Sequence, residues 1–431
     1  MPYQIIDSQG ISDRRIKGFH LDTPLPGQSD SANKITIAGW ILSASEAFTH
    51  VEIREHDRGT SYCIQRCPIA VERPDVVNHY QDHSLTPRCG FSSQLMLLGL
   101  PQRAELSLHA ITESGEGIPF LRLNLERKVL VSDFSPRLRP VIVTTLGRTG
   151  STWFMQLLSK HPSVVVADQH PYETFALEFW LHLVTQQLVS PENLLSPVDQ
   201  KRFQRDFVAL PERKLWFDQE YHRQALRFCQ QSIENYYLSV AQAQGAASTQ
   251  FFAEKIPYFS GEGNMTWRQL GAAVRELYPD ALEIVLVRDF RDMILSALHF
   301  GAQDKSPSDL EKEKSTAYLN VVKEVSEFSA YYQQNRSNTL LVRYEDLMLD
   351  TQAILKRVFQ SLGVACDAQT MDHIIRDKHA VAQEHKQHIT SKSIAQSVQR
   401  WRSELTPQLQ DRYTEMFEQQ LQLFGYDIRL S

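Results

Sequence analysis

Two hydrophobic rhythms divide the chain. Over the first 130 residues apolar and polar positions alternate with a period of two, in "KITIAGWILS", "HVEIREHD", "CGFSSQLML" and "AELSLHAITESG", with Gly, Asp and Ser between them. Period two sends successive side chains to opposite faces, so each stretch predicts a strand with one buried face. Together they predict a small antiparallel β-sandwich. The polar stretch "VSDFSPRLRP" (131–140), with two prolines, reads as a linker. Beyond Pro140 continuous apolar runs such as "VIVTT" and "EIVLVRD" alternate with long helical stretches. That texture predicts a parallel sheet covered by helices on both faces. A last helix is predicted from Thr406 as N-cap and Pro407 in the first turn. Leu409, Tyr413, Met416, Leu421 and Phe424 form its apolar stripe, and Gly425 stops it. The expected organisation is a β-sandwich-like domain over 1–130, a linker over 131–139 and an α/β domain over 140–431.

Composition narrows the function classes. A formal net charge of −6 over 431 residues argues against a general nucleic-acid or anionic-membrane binder, while leaving room for a local basic pocket. No segment reaches the roughly 18 uninterrupted apolar residues of a membrane helix. The N-terminus "MPYQIIDSQGISDRR" lacks the basic-then-apolar layout of a signal peptide. The five cysteines (Cys63, Cys67, Cys89, Cys229 and Cys366) are odd in number and scattered, which fits a reducing cytoplasm. Cys63 and Cys67 have no Cys/His pair at zinc spacing beside them, so no metal site is expected.

Candidate chemistry begins at "VTTLGRTGSTWFMQLLSKHP" (143–162), a strand, a tight Gly-containing loop and a helix. A helix N-terminus reached through such a loop is an anion site, because backbone N–H groups and the helix dipole point at the ligand. The amides of Gly150, Ser151 and Thr152 would make it. Arg148 adds a charge-assisted bond, and the hydroxyls of Thr149, Ser151 and Thr152 add donors. The plainer reading is an ordinary strand-to-helix turn. The kinase and ATPase loop, G-x-x-x-x-G-K-[ST], is not matched: Ser151 follows Gly150, so the lysine is missing, and Gly147 lies too close to Gly150. A second strand runs into a helix in "EIVLVRDFRDMILSALHF" (283–300). Arg288 stands at the strand end, and Ser296 falls about two helical turns later on the same side. The pair is suited to grip a second phosphate, although a strand-end arginine is often structural.

Together these segments resemble the PAPS-dependent sulfotransferases. In that family "GRTGSTWFMQLL" corresponds to the 5′-phosphosulfate loop and "LVRDFRDMILS" to the 3′-phosphate motif. The commoner loop wording is Arg/Lys-Ser-Gly-Thr-Thr. This chain has Arg148-Thr149-Gly150-Ser151-Thr152, with hydroxyl swaps at two positions. "LLVRYEDLMLDTQAILKRVFQSLGV" (340–364) is similar to the segment whose tyrosine, here Tyr344, lies near the adenine. "SVQRWRSEL" (397–405) is similar to the cofactor-closing segment, which places Arg400 and Trp401 in the binding set. The resemblance covers roughly 138–428 with four motifs in order and leaves 1–130 uncovered. It implies a three-layer P-loop-type α/β domain and PAPS as co-substrate, without a metal.

Sulfuryl transfer needs in-line positioning, stabilisation of charge on the leaving oxygen and a base for the acceptor hydroxyl. Arg148 and Lys255, the latter in "FFAEKIPYFS", are the candidate cations. The resemblance supports Lys255, which otherwise reads as a surface lysine. Glu254 reads as a structural partner. For the base, "DQHPYETFALEFW" (168–180) offers Glu173, the position where several sulfotransferase branches place a catalytic glutamate. Its plainer reading is a carboxylate in a helix first turn. His170 is the alternative base, of the residue type used by the cytosolic small-molecule branch. His161 reads as the structural end of the loop helix. In the N-terminal module His56, Asp57, His79 and His83 read as scattered surface groups rather than a metal or sugar site. That module is left with three open roles: acceptor binding, homodimerisation, or capping of the catalytic domain. The expected activity is transfer of the PAPS sulfuryl group to a hydroxyl on a glycan, a lipid, a natural-product alcohol or a tyrosine in a bacterial cytoplasm. The rivals are a P-loop kinase, with Asp289 and Asp292 as its only acidic candidates for magnesium, and a non-catalytic scaffold that keeps the fold.

Overall fold

The computed structural model describes residues 3–30, 33–57, 59–80, 86–167, 172–188, 220–246, 248–257, 267–301, 324–376 and 397–428. Its chain divides into two compact units. One gathers the N-terminal residues through Ser135 with described parts of 177–232 and 261–279. The other runs from Pro136 to Ala176, through 233–260 in part, and onward from Asp280.

The first unit is built on nine strands: β1 (Tyr3–Gly10), β2 (Ile16–Thr23), β3 (Ser29–Asp30), β4 (Lys34–Ser43), β5 (Phe48–Asp57), β6 (Thr60–Glu72), β7 (Arg88–Met96), β8 (Arg103–Thr112) and β9 (Gly117–Arg127). Their order is β2-β4-β7-β6-β5-β8-β9-β1-β3, and neighbours run antiparallel. The 13-residue strand β6 pairs with β5 from Thr60 to Pro68 and with β7 at its end, where Ile69 faces Phe91. One strand therefore serves both halves. The expected sandwich is realised as a single antiparallel sheet folded around one core that includes Ile35, Ile37, Val51, Ile53, Leu106, Leu108 and Leu123. The period-two pattern is what fills that core, since alternate residues of each strand face inward.

The helix Trp267–Leu277 joins this unit although it lies far beyond the linker in sequence. Arg127 at the end of β9 pairs with Glu276 at 2.5 Å, with side chains only 2% and 6% exposed. Glu276 also accepts the Gly99 and Leu130 amides, each at 3.1 Å. The linker composition marks where the chain is polar, and buried pairing of this kind is invisible to it.

The second unit holds a parallel sheet of β10 (Arg139–Thr145), β11 (Val164–Val165), β12 (Phe251–Pro257), β13 (Leu282–Val287) and β14 (Thr339–Arg343), in the order β11-β12-β10-β13-β14. Strand β10 is central and buried beyond its first residue, as its continuous apolar run demands. Register sets Val143 beside both Lys255 and Ile284, which levels the C-terminal ends of β10, β12 and β13. The core packs Val141, Val143, Ile284 and Leu286 against Phe154 and Leu158 of the helix Ser151–Ser159 and Val358 and Phe359 of Thr351–Leu362. The predicted last helix is two, Pro407–Met416 and Glu418–Leu423, parted at Phe417, whose backbone leaves helical geometry (φ −107°, ψ 15°). Of the predicted stripe Tyr413, Leu421 and Phe424 are buried and Leu409 and Met416 half-buried, and Phe417, outside the stripe, is buried as well.

Candidate functional site

The loop after β10 is shaped by two left-handed residues, Arg148 (φ 65°) and Gly150 (φ 81°). At Gly150 the requirement for glycine is double. Its φ disfavours any side chain, and an added Cβ would lie 2.5 Å from Cδ2 and Cε2 of Tyr344. Gly150 caps the helix Ser151–Ser159, and no side chain caps it. The amides of its first turn therefore have no intrahelical acceptors and are available to an anion. Thr149, expected as a ligand donor, is 1% exposed. Its hydroxyl bonds to that of Thr145 and donates to the Leu146 carbonyl at 3.0 Å, so its side chain stiffens the loop.

Two guanidinium groups meet at this loop. Arg288 follows β13 directly, is 5% exposed, and donates from Nη1 to the Arg148 carbonyl at 3.2 Å and from Nη2 to the Ser397 carbonyl at 2.7 Å. Its Nε is buried without a hydrogen-bond partner among the described residues. Its Cζ lies 4.6 Å from the centre of the Tyr344 ring, and the Tyr344 hydroxyl donates to Ser397 Oγ at 2.8 Å. Arg148 donates from Nε to Ser296 Oγ at 3.3 Å. Burial, and then the nearby charge of Arg288, lower the Arg148 pKa. Gathering like charges is unfavourable unless an anion completes the set. Five predicted positions, Arg148, Gly150, Arg288, Ser296 and Tyr344, thus come together. Ser397, the first residue of the closing motif, was not foreseen in its role of holding Arg288.

A second cation lies on β12. Lys255 is 1% exposed inside the strand, not on the surface after it. Its Nζ lies 2.6 Å from Glu173 Oε1 and donates to Thr152 Oγ1 at 3.5 Å. Burial lowers its pKa, and Glu173 works against that shift. Glu173 precedes the helix Ala176–Gln187 rather than sitting in its first turn, and its side chain is 26% exposed. The alternative base His170 lies outside the described residues, as does His83.

The remaining predicted positions have the following partners. Arg400 pairs with Glu404 at 2.9 Å. Trp401 is 1% exposed, lies under the Arg291 guanidinium (3.7 Å to the ring centre) and donates its amide to Asp292 Oδ1 at 2.8 Å. Trp401 therefore anchors the segment that carries Ser397. Of the two acids considered for magnesium, Asp289 pairs with Arg291 at 2.7 Å, and Asp292 takes the Trp401 amide on Oδ1 while its buried Oδ2 has no hydrogen-bond partner among the described residues. Burial holds the Asp292 carboxyl up to about 6. His161 is buried, bonded to the Ala365 carbonyl at 3.2 Å and packed on Phe359. His56 bonds to Ser107 at 2.6 Å in the first unit. Among the described residues no group of three or more His, Cys, Asp or Glu is arranged to hold a metal ion.

Residues 140–368 match the sulfotransferase family model. Similar solved structures include the sulfotransferase domain of the Synechococcus PCC 7002 olefin synthase (17% identity, 70% of this chain and 99% of that one, TM-score 0.37). A mouse sulfotransferase complexed with PAP matches at 12% identity over 67% of this chain and 85% of its own, TM-score 0.35. A Mycobacterium avium sulfotransferase matches at 17% identity over 68% and 78%, TM-score 0.33. A search of curated protein sequences finds no match. With more than half of its length matched by that model, the chain belongs to the sulfotransferase family.

Proposed function

We propose that the chain is a PAPS-dependent sulfotransferase that moves the sulfuryl group of PAPS to an acceptor hydroxyl, on a three-layer P-loop-type domain. The observation that carries this reading is the pair Arg148 and Arg288, gathered at two strand ends with a buried Arg288 Nε that has no acceptor among the described residues. Such a nitrogen is costly to leave unmatched, and a phosphate oxygen is a fitting partner. The residues present suit the donor. The loop amides, Arg148, Ser151 and Thr152 would hold its 5′ side, Arg288 and Ser296 its 3′-phosphate, and Tyr344 would border its base. When bound, the donor supplies a sulfuryl group already activated on a phosphate.

Glu173 and Lys255 then have linked roles. Glu173 takes the proton of the acceptor hydroxyl. Its carboxylate loses its charge in doing so, which loosens its hold on Lys255. The freed ammonium is then able to favour negative charge on the leaving oxygen. Acceptors of the hydroxyl class, from glycans, lipids and natural-product alcohols to tyrosine, suit this chemistry. The test is calorimetric binding of 3′,5′-adenosine bisphosphate in EDTA, followed by transfer of labelled sulfate from PAPS to 4-nitrophenol and to extracts of the host. Binding of ADP only with magnesium, and none of the bisphosphate, would replace this reading with the kinase.

A further inference from the structure

The segment that carries Glu173 is strained. Tyr172 (φ 66°) and Phe175 (φ 50°) both lie in the left-handed region, where bulky residues are costly. Such a segment persists only where its surroundings hold it. Glu173 reaches Lys255, and its neighbour Thr174 reaches the other way, to the hydroxyl of Tyr237 at 3.4 Å. Tyr237, in the helix Tyr221–Ala243, is fully buried and stacks on Phe252 of β12, with ring centres 4.3 Å apart and 17° between planes. Its hydroxyl donates to Glu254 Oε2 at 2.5 Å, and Glu254 is 1% exposed. Because that proton is committed to a carboxylate, the Tyr237 oxygen is left to accept from Thr174. Alternation along β12 gives Glu254 and Lys255 opposite faces of one strand. The strand thus carries both anchors of the strained segment, one through Lys255 and one through Glu254 and Tyr237.

We propose that Tyr237, held by Glu254, is a positioning residue that keeps Glu173 on Lys255. The proposal rests on the reading of Glu173 as the base for its catalytic meaning, and its test is separable from that reading. Burial and Glu254 push the Tyr237 phenol well above its ordinary range, so it remains a donor throughout the working pH.

The experiment follows the titration of Lys255 in protein labelled with ε-¹³C-lysine, the signal being identified by its loss in Lys255→Arg. Glu173 raises the Lys255 pKa against burial. Glu173→Gln should therefore lower the titration midpoint. Tyr237→Phe keeps the ring stacking and removes the hydroxyl; it should lower the midpoint in the same direction by a smaller amount. Thr174→Val should do likewise from the other end, and serves if Tyr237→Phe fails to fold. In the Glu173→Gln background neither change should move Lys255 further, because both act through Glu173. Turnover of PAPS with 4-nitrophenol should fall roughly 2- to 10-fold in Tyr237→Phe, as for one buried hydrogen bond, with binding of 3′,5′-adenosine bisphosphate unchanged. An unmoved Lys255 in both Tyr237→Phe and Thr174→Val, or an equal shift with and without Glu173, overturns the proposal. Failure of the base reading looks different: Glu173→Gln would keep full turnover while the Lys255 titration still moved.

Discussion

Arg127 and Arg288 are both buried, and they are kept in opposite ways. Arg127 meets a carboxylate: Glu276 faces it at 2.5 Å, and the Leu100 carbonyl accepts from Nε at 2.7 Å and also from Nη2. Arg288 meets two carbonyls and an aromatic ring, and its Nε has no hydrogen-bond partner among the described residues. Burial alone does not separate a structural arginine from a binding one; the charge of its partner does. A guanidinium hydrogen-bonded to its carboxylate has little reason to take a ligand, whereas Arg288, whose described hydrogen bonds go to carbonyls while the Asp292 charge lies nearby without such a bond, keeps part of its fork for an anion. Lys255 stands between the two cases. It has a carboxylate, but a partly exposed one on a strained segment.

The largest expected effect decides which side Lys255 belongs to. If the Glu173–Lys255 pair works, Glu173→Gln keeps the shape and loses the base, and turnover falls about 10²–10⁴-fold. Affinity for 3′,5′-adenosine bisphosphate stays near its starting value. If the pair only braces the fold, as Arg127–Glu276 does, the same change costs stability and leaves turnover alone. Steady-state kinetics beside urea unfolding separate the outcomes.

Next in size is Arg127→Ala. It leaves Glu276 buried with its charge unmet, which costs about 3–5 kcal/mol when one partner of a buried pair is removed. The urea midpoint should drop with affinity for the bisphosphate retained in the folded protein. Arg288→Ala should do the reverse. Relief of the repulsion with Arg148 makes it near neutral for stability. Loss of a charge-assisted bond worth about 1.5–3 kcal/mol weakens the bisphosphate roughly tenfold or more. Binding of 5′-AMP, which lacks the 3′-phosphate, should change much less. Equal losses for both ligands would end the assignment of Arg288 to the 3′ side.

These contrasts were only partly open to sequence reasoning. The strand–loop–helix of 143–162 was legible because glycine, hydroxyls and an apolar strand each have a local signature, and the strand-end Arg288 followed from the same logic. The positive side of the site was therefore visible. Its partners were not: Ser397 holds Arg288 from 109 residues away, and Glu276 meets Arg127 across 149. Contacts at such separations leave no periodic trace. Thr149 shows the opposite limit. Its position in the loop suggests a donor to ligand, and the bonds of its hydroxyl to Thr145 and the Leu146 carbonyl are a packing detail that the spacing does not show. Trp401, within its motif, meets Asp292 and Arg291, partners that the motif does not announce.

The smallest effect sharpens the comparison most finely. Ser296 was expected to touch the 3′-phosphate beside Arg288, yet its hydroxyl accepts from Arg148 Nε at 3.3 Å. The two roles differ in what a ligand would report. A serine that contacts the 3′-phosphate directly affects only ligands that carry one. A serine that aims Arg148 affects every ligand with a 5′ group. Ser296→Ala removes one hydrogen bond, worth about 0.5–1.5 kcal/mol, so the expected weakening is roughly 2- to 10-fold. Measured against 3′,5′-adenosine bisphosphate and 5′-AMP in parallel, equal weakening assigns Ser296 to Arg148. Weakening of the bisphosphate alone assigns it to the 3′-phosphate with Arg288. Weakening of both, larger for the bisphosphate, means that one hydroxyl serves both guanidinium sites. Arg148 and Arg288 would then act as a single anion-binding unit, not as two neighbours.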